Sequence, residues 1–192
     1  MKLFLGILGA VSVWGLSAIG VIPSGLSWAQ TDGEILIKDR DVTMVARLDG
    51  FQEVPAISTT GHGAFKARLI RGGKAVEYAL AYTDLQGDVT QAHLHFGRTG
   101  TNGGVILFLC QTGDHQDPTG QAPRCNASGV VEGVLTETNI IGPAEQGIEP
   151  GAFREVVRAV LAQASYVNVH TTTFPRGEIR GQVGTSQLAI GN

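Results

Sequence analysis

Gly63-Ala64-Phe65-Lys66-Ala67-Arg68-Leu69-Ile70, Arg71-Gly72-Gly73-Lys74 and Ala75-Val76-Glu77-Tyr78-Ala79-Leu80-Ala81-Tyr82 form one continuous stretch of the chain. In its two arms apolar and polar residues alternate with a period of two, as strands with one buried face require. Gly72-Gly73 between them supplies the positive φ angles of a tight hairpin, so the arms are expected to be antiparallel neighbours. The same alternation recurs at 44–48, and further strands are expected at 89–96, 105–110, 130–136, 165–170 and 178–183. The chain has 27 glycines among 192 residues, about twice average usage, which suits tight turns between short strands. Together these features predict an all-β fold, an antiparallel β-sandwich.

One segment breaks the period. From 151 to 164, Phe153, Val156, Val157, Val160, Leu161 and Ala164 recur at helical spacing, with Arg154, Glu155, Arg158 and Gln163 opposite. This predicts a single amphipathic helix packed on the sheets, with Pro150 just ahead of it, where a missing N–H costs little. The stretch 139–150 is expected to be loop, and 185–192 a flexible tail.

Charge and composition exclude several classes. A formal net charge of −3 lacks the basic excess that nucleic-acid binding needs. The glycines show no collagen period, and apolar residues are too plentiful for broad disorder. Residues 1–29 read as a secretory signal peptide: Lys2, an apolar run from Leu3 to Pro23, then small residues at Ser27 and Ala29 with cleavage after Ala29. The run is also long enough for an uncleaved anchor, but Gly and Ser interrupt it and a cleavage site follows. No stable membrane span is therefore expected after cleavage, and the product is expected to be secreted or periplasmic.

Export changes how the two cysteines are read, because disulfides persist outside the cytoplasm. Cys110 and Cys125 are expected to pair across a turn-rich loop. Closing a loop of about 15 residues stabilises by roughly 3 kcal/mol in the chain-entropy account. A thiolate metal site would call for closer spacing such as C-x-x-C.

Five histidines lie beyond residue 29. His93 and His95 flank Leu94 in a strand candidate, so both rings project from one face. In Tyr166-Val167-Asn168-Val169-His170 the alternation puts Tyr166, Asn168 and His170 on one face. If the two strands adjoin, three imidazoles meet, and three neutral imidazoles bind copper or zinc while leaving a coordination position open. The competing reading makes His95 and His170 structural, bonded to backbone carbonyls. His62 and His115 read as surface residues. Glu178 and Arg180 share a strand face; Arg180 reads as structural, and Glu178 could orient a ligand histidine or form an ion pair. No Ser/His/Asp constellation and no phosphate-binding loop can be assembled, so no catalytic residue is assigned and binding is weighed above enzymatic activity.

Four blocks in order resemble the CHRD domain: 48–55 (Leu48-Asp49-Gly50-Phe51-Gln52-Glu53-Val54-Pro55), 85–97 around His93-Leu94-His95, 166–171 ending His170-Thr171, and 177–182 around Glu178-Ile179-Arg180. The resemblance spans 43–184. That domain takes its name from chordin, an extracellular antagonist of bone morphogenetic proteins, and also occurs in exported microbial proteins. It implies an Ig-like β-sandwich, and the H-x-H plus distant histidine is similar to the arrangement in Cu/Zn superoxide dismutase, a link of analogy only. The cysteine loop at 111–126 and Ala56 depart from the simplest family pattern. Two functions follow as expectations: copper or zinc binding through His93, His95 and His170, or an extracellular module that contacts a protein partner and keeps its histidines for structure.

Overall fold

The computed structural model describes residues 30–31, 34–35 and 42–186. The expected signal peptide, its cleavage point and residues 187–192 of the expected tail lie outside them. Strands β1 (Gln30–Thr31) and β2 (Glu34–Ile35) pair with each other in a small N-terminal unit of their own.

The second unit carries β3 (Thr43–Asp49), β4 (His62–Ile70), β5 (Ala75–Thr83), β6 (Val89–Phe96), β7 (Val105–Cys110), β8 (Gly129–Leu135), helix α1 (Phe153–Leu161), β9 (Ser165–Thr171), β10 (Ile179–Gln182) and β11 (Gly184–Ser186). The Gly72-Gly73 hairpin forms as expected. β4 and β5 pair from His62↔Thr83 to Ile70↔Ala75, and Arg71, Gly72 and Gly73 take positive φ in the turn. The order β7-β6-β9-β10-β3-β4-β5-β8 makes one continuous sheet, antiparallel at every pairing. The all-β expectation with one helix holds. The two layers are halves of a single, nearly closed sheet rather than separate sheets, and Tyr78 of β5 donates its hydroxyl to Leu109 O of β7 across the gap.

Alternation explains the core. Met44, Ala46 and Leu48 of β3, Phe65 of β4, and Tyr78, Leu80 and Tyr82 of β5 point inward to meet Leu94, Leu109, Val167 and Val169 from the other half. The helix covers one end. Val156 and Val160 share an apolar cavity with Met44, Phe65, Leu107 and Val183, while Arg158 and Glu155 pair at 2.9 Å on the exposed side. It is shorter than 151–164, because Gly151 and Gln163 both take positive φ at its ends, which an α-helix excludes.

Two segments expected to be irregular are more ordered. Thr185 and Ser186 pair with Met44 and Thr43, continuing along β3 the register begun by Arg180↔Asp49, so these two residues of the expected tail are strand. The stretch after β8 makes two 3-10 turns, Glu137–Asn139 and Ala144–Gln146. It buries Ile140 and Ile148 and runs along the outer edge of β7, with Ile141 N–H donating to Ile106 O at 2.9 Å.

Candidate metal centre

β9 lies beside β6, and their register sets His93 opposite Asn168, His95 opposite Tyr166 and Gln91 opposite His170. Leu94, Val167 and Val169 face the core, so His93, His95, Tyr166, Asn168 and His170 share the other face of the sheet. In an ordinary antiparallel sheet that face would be wet. Here the segments around 97–104 and 174–178 cover it, and all three histidines are buried.

One nitrogen from each of His93, His95 and His170 can be chosen so that all lie within 4.8 Å of one another. His93 Nδ1 is 3.1 Å from His170 Nε2. Two nitrogens bound to one ion at about 2.0–2.1 Å in tetrahedral geometry stand about 3.3–3.4 Å apart, so this pair already has nearly ligand spacing. The widest separation, 4.8 Å, would have to close by at most about 1.5 Å to reach the same spacing. Main-chain carbonyls fix two tautomers: His95 Nδ1–H donates to Gly103 O at 2.9 Å, and His170 Nδ1–H to Pro175 O at 3.0 Å. Their Nε2 atoms therefore carry lone pairs. The Nε2 atoms of His93 and His95 are buried without a hydrogen-bond partner.

Burial first, then the neighbouring imidazoles, push the His93 ring down to about 2. Burial likewise lowers His170 to about 4, against the pull of Pro175 O, and lowers His95, assisted by the Arg180 charge. All three rings are neutral near pH 7, the form that binds metal. Phe108 of β7 stands edge-on to His93, with 4.3 Å between ring centroids.

The other expected residues surround this cluster without joining it. Arg180 is buried, and its guanidinium lies 3.3 Å over the Tyr166 ring. It donates to Thr101 O at 2.6 Å, Asn102 Oδ1 at 3.2 Å and Arg98 O at 3.3 Å. It thereby ties down the segment whose Gly103 carbonyl holds His95, and among the described residues it makes no ion pair. Glu178 is fully buried. It accepts from Thr59 Oγ1 at 2.6 Å, Gln86 N at 2.7 Å and Thr171 Oγ1 at 2.8 Å, and no histidine is among its partners. Its role is to clasp loops. His62 and His115 are exposed, as expected.

Cys110 and Cys125 are bonded to each other. Their loop has a polar centre of its own: the buried Asp117 carboxylate accepts from Thr119 N, Thr119 Oγ1, Gln121 N and Ala122 N. Those hydrogen bonds outweigh burial and hold the carboxyl below its usual range.

Glu53 was not legible as part of the centre. It is buried, its Oε1 has no partner, and burial raises it to about 7 despite the Arg180 charge. The only sequence signal was its place in the 48–55 block.

A profile of the CHRD domain matches residues 44–183, from β3 through the end of β10. The chain belongs to the CHRD family. No curated protein sequence matches it. The CHRD match takes in the three histidines, Arg180 and Glu178, and also the disulfide loop. Among the described residues of this CHRD protein no helix is long and apolar enough to cross a membrane.

Proposed function

We propose that this CHRD protein is an exported metal-binding protein whose His93, His95 and His170 hold one copper or zinc ion. The observation that carries the reading is the convergence of His93 Nδ1 and His170 Nε2, 3.1 Å apart, beside the buried, unpartnered Nε2 of His95, in a cluster where carbonyls lock the tautomers of His95 and His170. A buried polar atom left without a partner costs about 1–3 kcal/mol, and a bound cation would remove that cost. Imidazole nitrogens suit zinc and copper. The two cysteines cannot compete as ligands, since both are in the disulfide. That disulfide also supports export, because such bonds persist in oxidising compartments. Three protein ligands leave coordination space for a further donor or a small ligand.

Copper and zinc contents of the purified protein and of a His93→Ala/His95→Ala/His170→Ala variant test the reading. The expected result is one ion per wild-type chain and none in the variant; equal, negligible binding by both would overturn it.

A second reading, an extracellular interaction module, rests on Phe51. Phe51 is 76% exposed on the 3-10 turn Gly50–Gln52 and offers a large apolar side chain for such a contact. Replacing Phe51 by Ser should abolish co-purification of an extracellular protein if that surface is a contact.

A further inference from the structure

We propose that the side-chain oxygen of Asn168 is a fourth donor to the ion held by His93, His95 and His170, making a centre of three nitrogens and one oxygen. The inference rests on the metal-binding reading above and adds a ligand to it.

Asn168 is buried, opposite His93 across the β6–β9 ladder and two residues before His170. Its Oδ1 stands 3.1 Å from His170 Nε2, the same separation as His93 Nδ1 from that nitrogen. With the His170 proton on Nδ1 and donated to Pro175 O, Nε2 offers only a lone pair. An amide oxygen offers only lone pairs too. Two acceptors facing each other at hydrogen-bond distance in a dry pocket repel, and a cation between them converts the repulsion into coordination. At zinc–donor lengths of about 2.0–2.2 Å, adjacent tetrahedral ligands lie about 3.3–3.5 Å apart, so little movement is needed.

The two ends of a carboxamide look alike in outline, and the surroundings of Asn168 distinguish them. Its Nδ2 lies on the side of Gly177, where a Cβ would stand 3.0 Å from that nitrogen and overlap Glu53 Oε1. Glu53 Oε1 is a buried acceptor without a partner. With the nitrogen on the Gly177 side, the oxygen faces the histidines, 3.1 Å from His170 Nε2. Gly177 makes the arrangement possible, since it has φ +122° and no side chain. A carboxamide oxygen is a hard donor, so the centre should favour Zn(II) or Cu(II) over Cu(I), which prefers sulfur ligands.

The test titrates zinc, against a competing chelator, and cobalt into the purified protein and its Asn168→Ala and Asn168→Asp variants. The Ala variant is expected to bind zinc at least about tenfold more weakly, the lower end of what losing even an outer-shell partner costs, with a displaced cobalt visible spectrum. The Asp variant, the same size with an anionic oxygen, should bind more tightly. An Ala variant with unchanged or tighter zinc binding would overturn the proposal, as would an Asp variant that binds no better than wild type; tighter binding by Ala would mean that the amide instead donates to His170 and competes with metal. Wild-type protein that takes up neither ion sinks the metal-binding reading itself, whereas wild-type binding matched by the Ala variant sinks only the role of Asn168.

Discussion

The imidazole of His95 lies parallel to the ring of Tyr166, 4° between planes and 4.8 Å between centroids. β6 brings His95 from one side of β9, and β10 brings the Arg180 guanidinium from the other, 3.3 Å over the same ring. Tyr166 is therefore the spacer between a candidate ligand and a buried cation. It also accepts from Gly103 N at 3.3 Å, beside the carbonyl that fixes His95.

Replacing Tyr166 by Leu removes both stacks and should destabilise the fold by about 2–4 kcal/mol, combining lost aromatic and cation–π contact with a poorly filled space. Tyr166→Phe keeps the stacks and should cost only about 0.5–1.5 kcal/mol for the lost hydrogen bond. Urea unfolding of the two variants checks the order, and an equal cost for both would show that the stacking contributes nothing.

Arg180→Lys should cost more than its conserved charge suggests. One ammonium cannot reproduce the guanidinium fork that reaches Arg98 O, Thr101 O and Asn102 Oδ1. Loss of about 1–3 kcal/mol is expected for the acceptors left unpaired. Hydrogen exchange should quicken first in 97–104, ahead of β3–β5; uniform acceleration would contradict the tie.

Acid should weaken the metal-free fold. His93 and His170 titrate near 2 and 4 in the folded protein, against 6.5 for an ordinary imidazole, and His95 is shifted the same way. Below pH 6.5 the unfolded chain takes up protons that the folded one refuses, so stability falls with pH by about 1.4 kcal/mol per unit for each such group. Glu53, raised from 4.5 to about 7, has the opposite sign: folding keeps its proton, and acidification favours the fold. Three groups against one leave a net loss between pH 6.5 and 4.5. Melting temperatures should fall over that window, less steeply for His93→Gln and more steeply for Glu53→Gln; a flat profile would refute the assignment.

Glu178→Gln should destabilise by about 1.5–3 kcal/mol, because a charged acceptor serving three donors becomes a neutral amide. Zinc content should not change, since the carboxylate touches no histidine. Cys110→Ser/Cys125→Ser should likewise leave metal content intact while lowering stability by about 3 kcal/mol, as expected for opening a 15-residue loop.

Most strands were legible because short runs rich in apolar and β-branched residues stand between turn-forming glycines. The bounds of β6 and β7 coincide with the strand candidates at 89–96 and 105–110. The meeting of His93, His95 and His170 was legible only conditionally, since alternation orients side chains but does not say which strands adjoin. That β6 pairs with β9, with His93 opposite Asn168, is a property of the whole core. The seat of Arg180 was hidden for a related reason: a charged residue in a strand normally reads as solvent-facing, and its burial depends on Tyr166 and on carbonyls some 80 residues away. Glu53 contributes through space from a turn, with no period to betray it. Asn168 was placed on the histidine face by alternation, yet only its position between Gly177 and His170 shows which end of its amide faces the rings.

The segment that runs along β7, with Ile141 bonded to Ile106 and Gln146 Oε1 accepting from Gly104 N at 2.7 Å, occupies backbone groups that would otherwise be free to add a strand from another molecule. β-Proteins with a bare edge are prone to join edge to edge into aggregates. By sealing one margin of its sheet with non-repetitive chain, this protein removes a template for self-association.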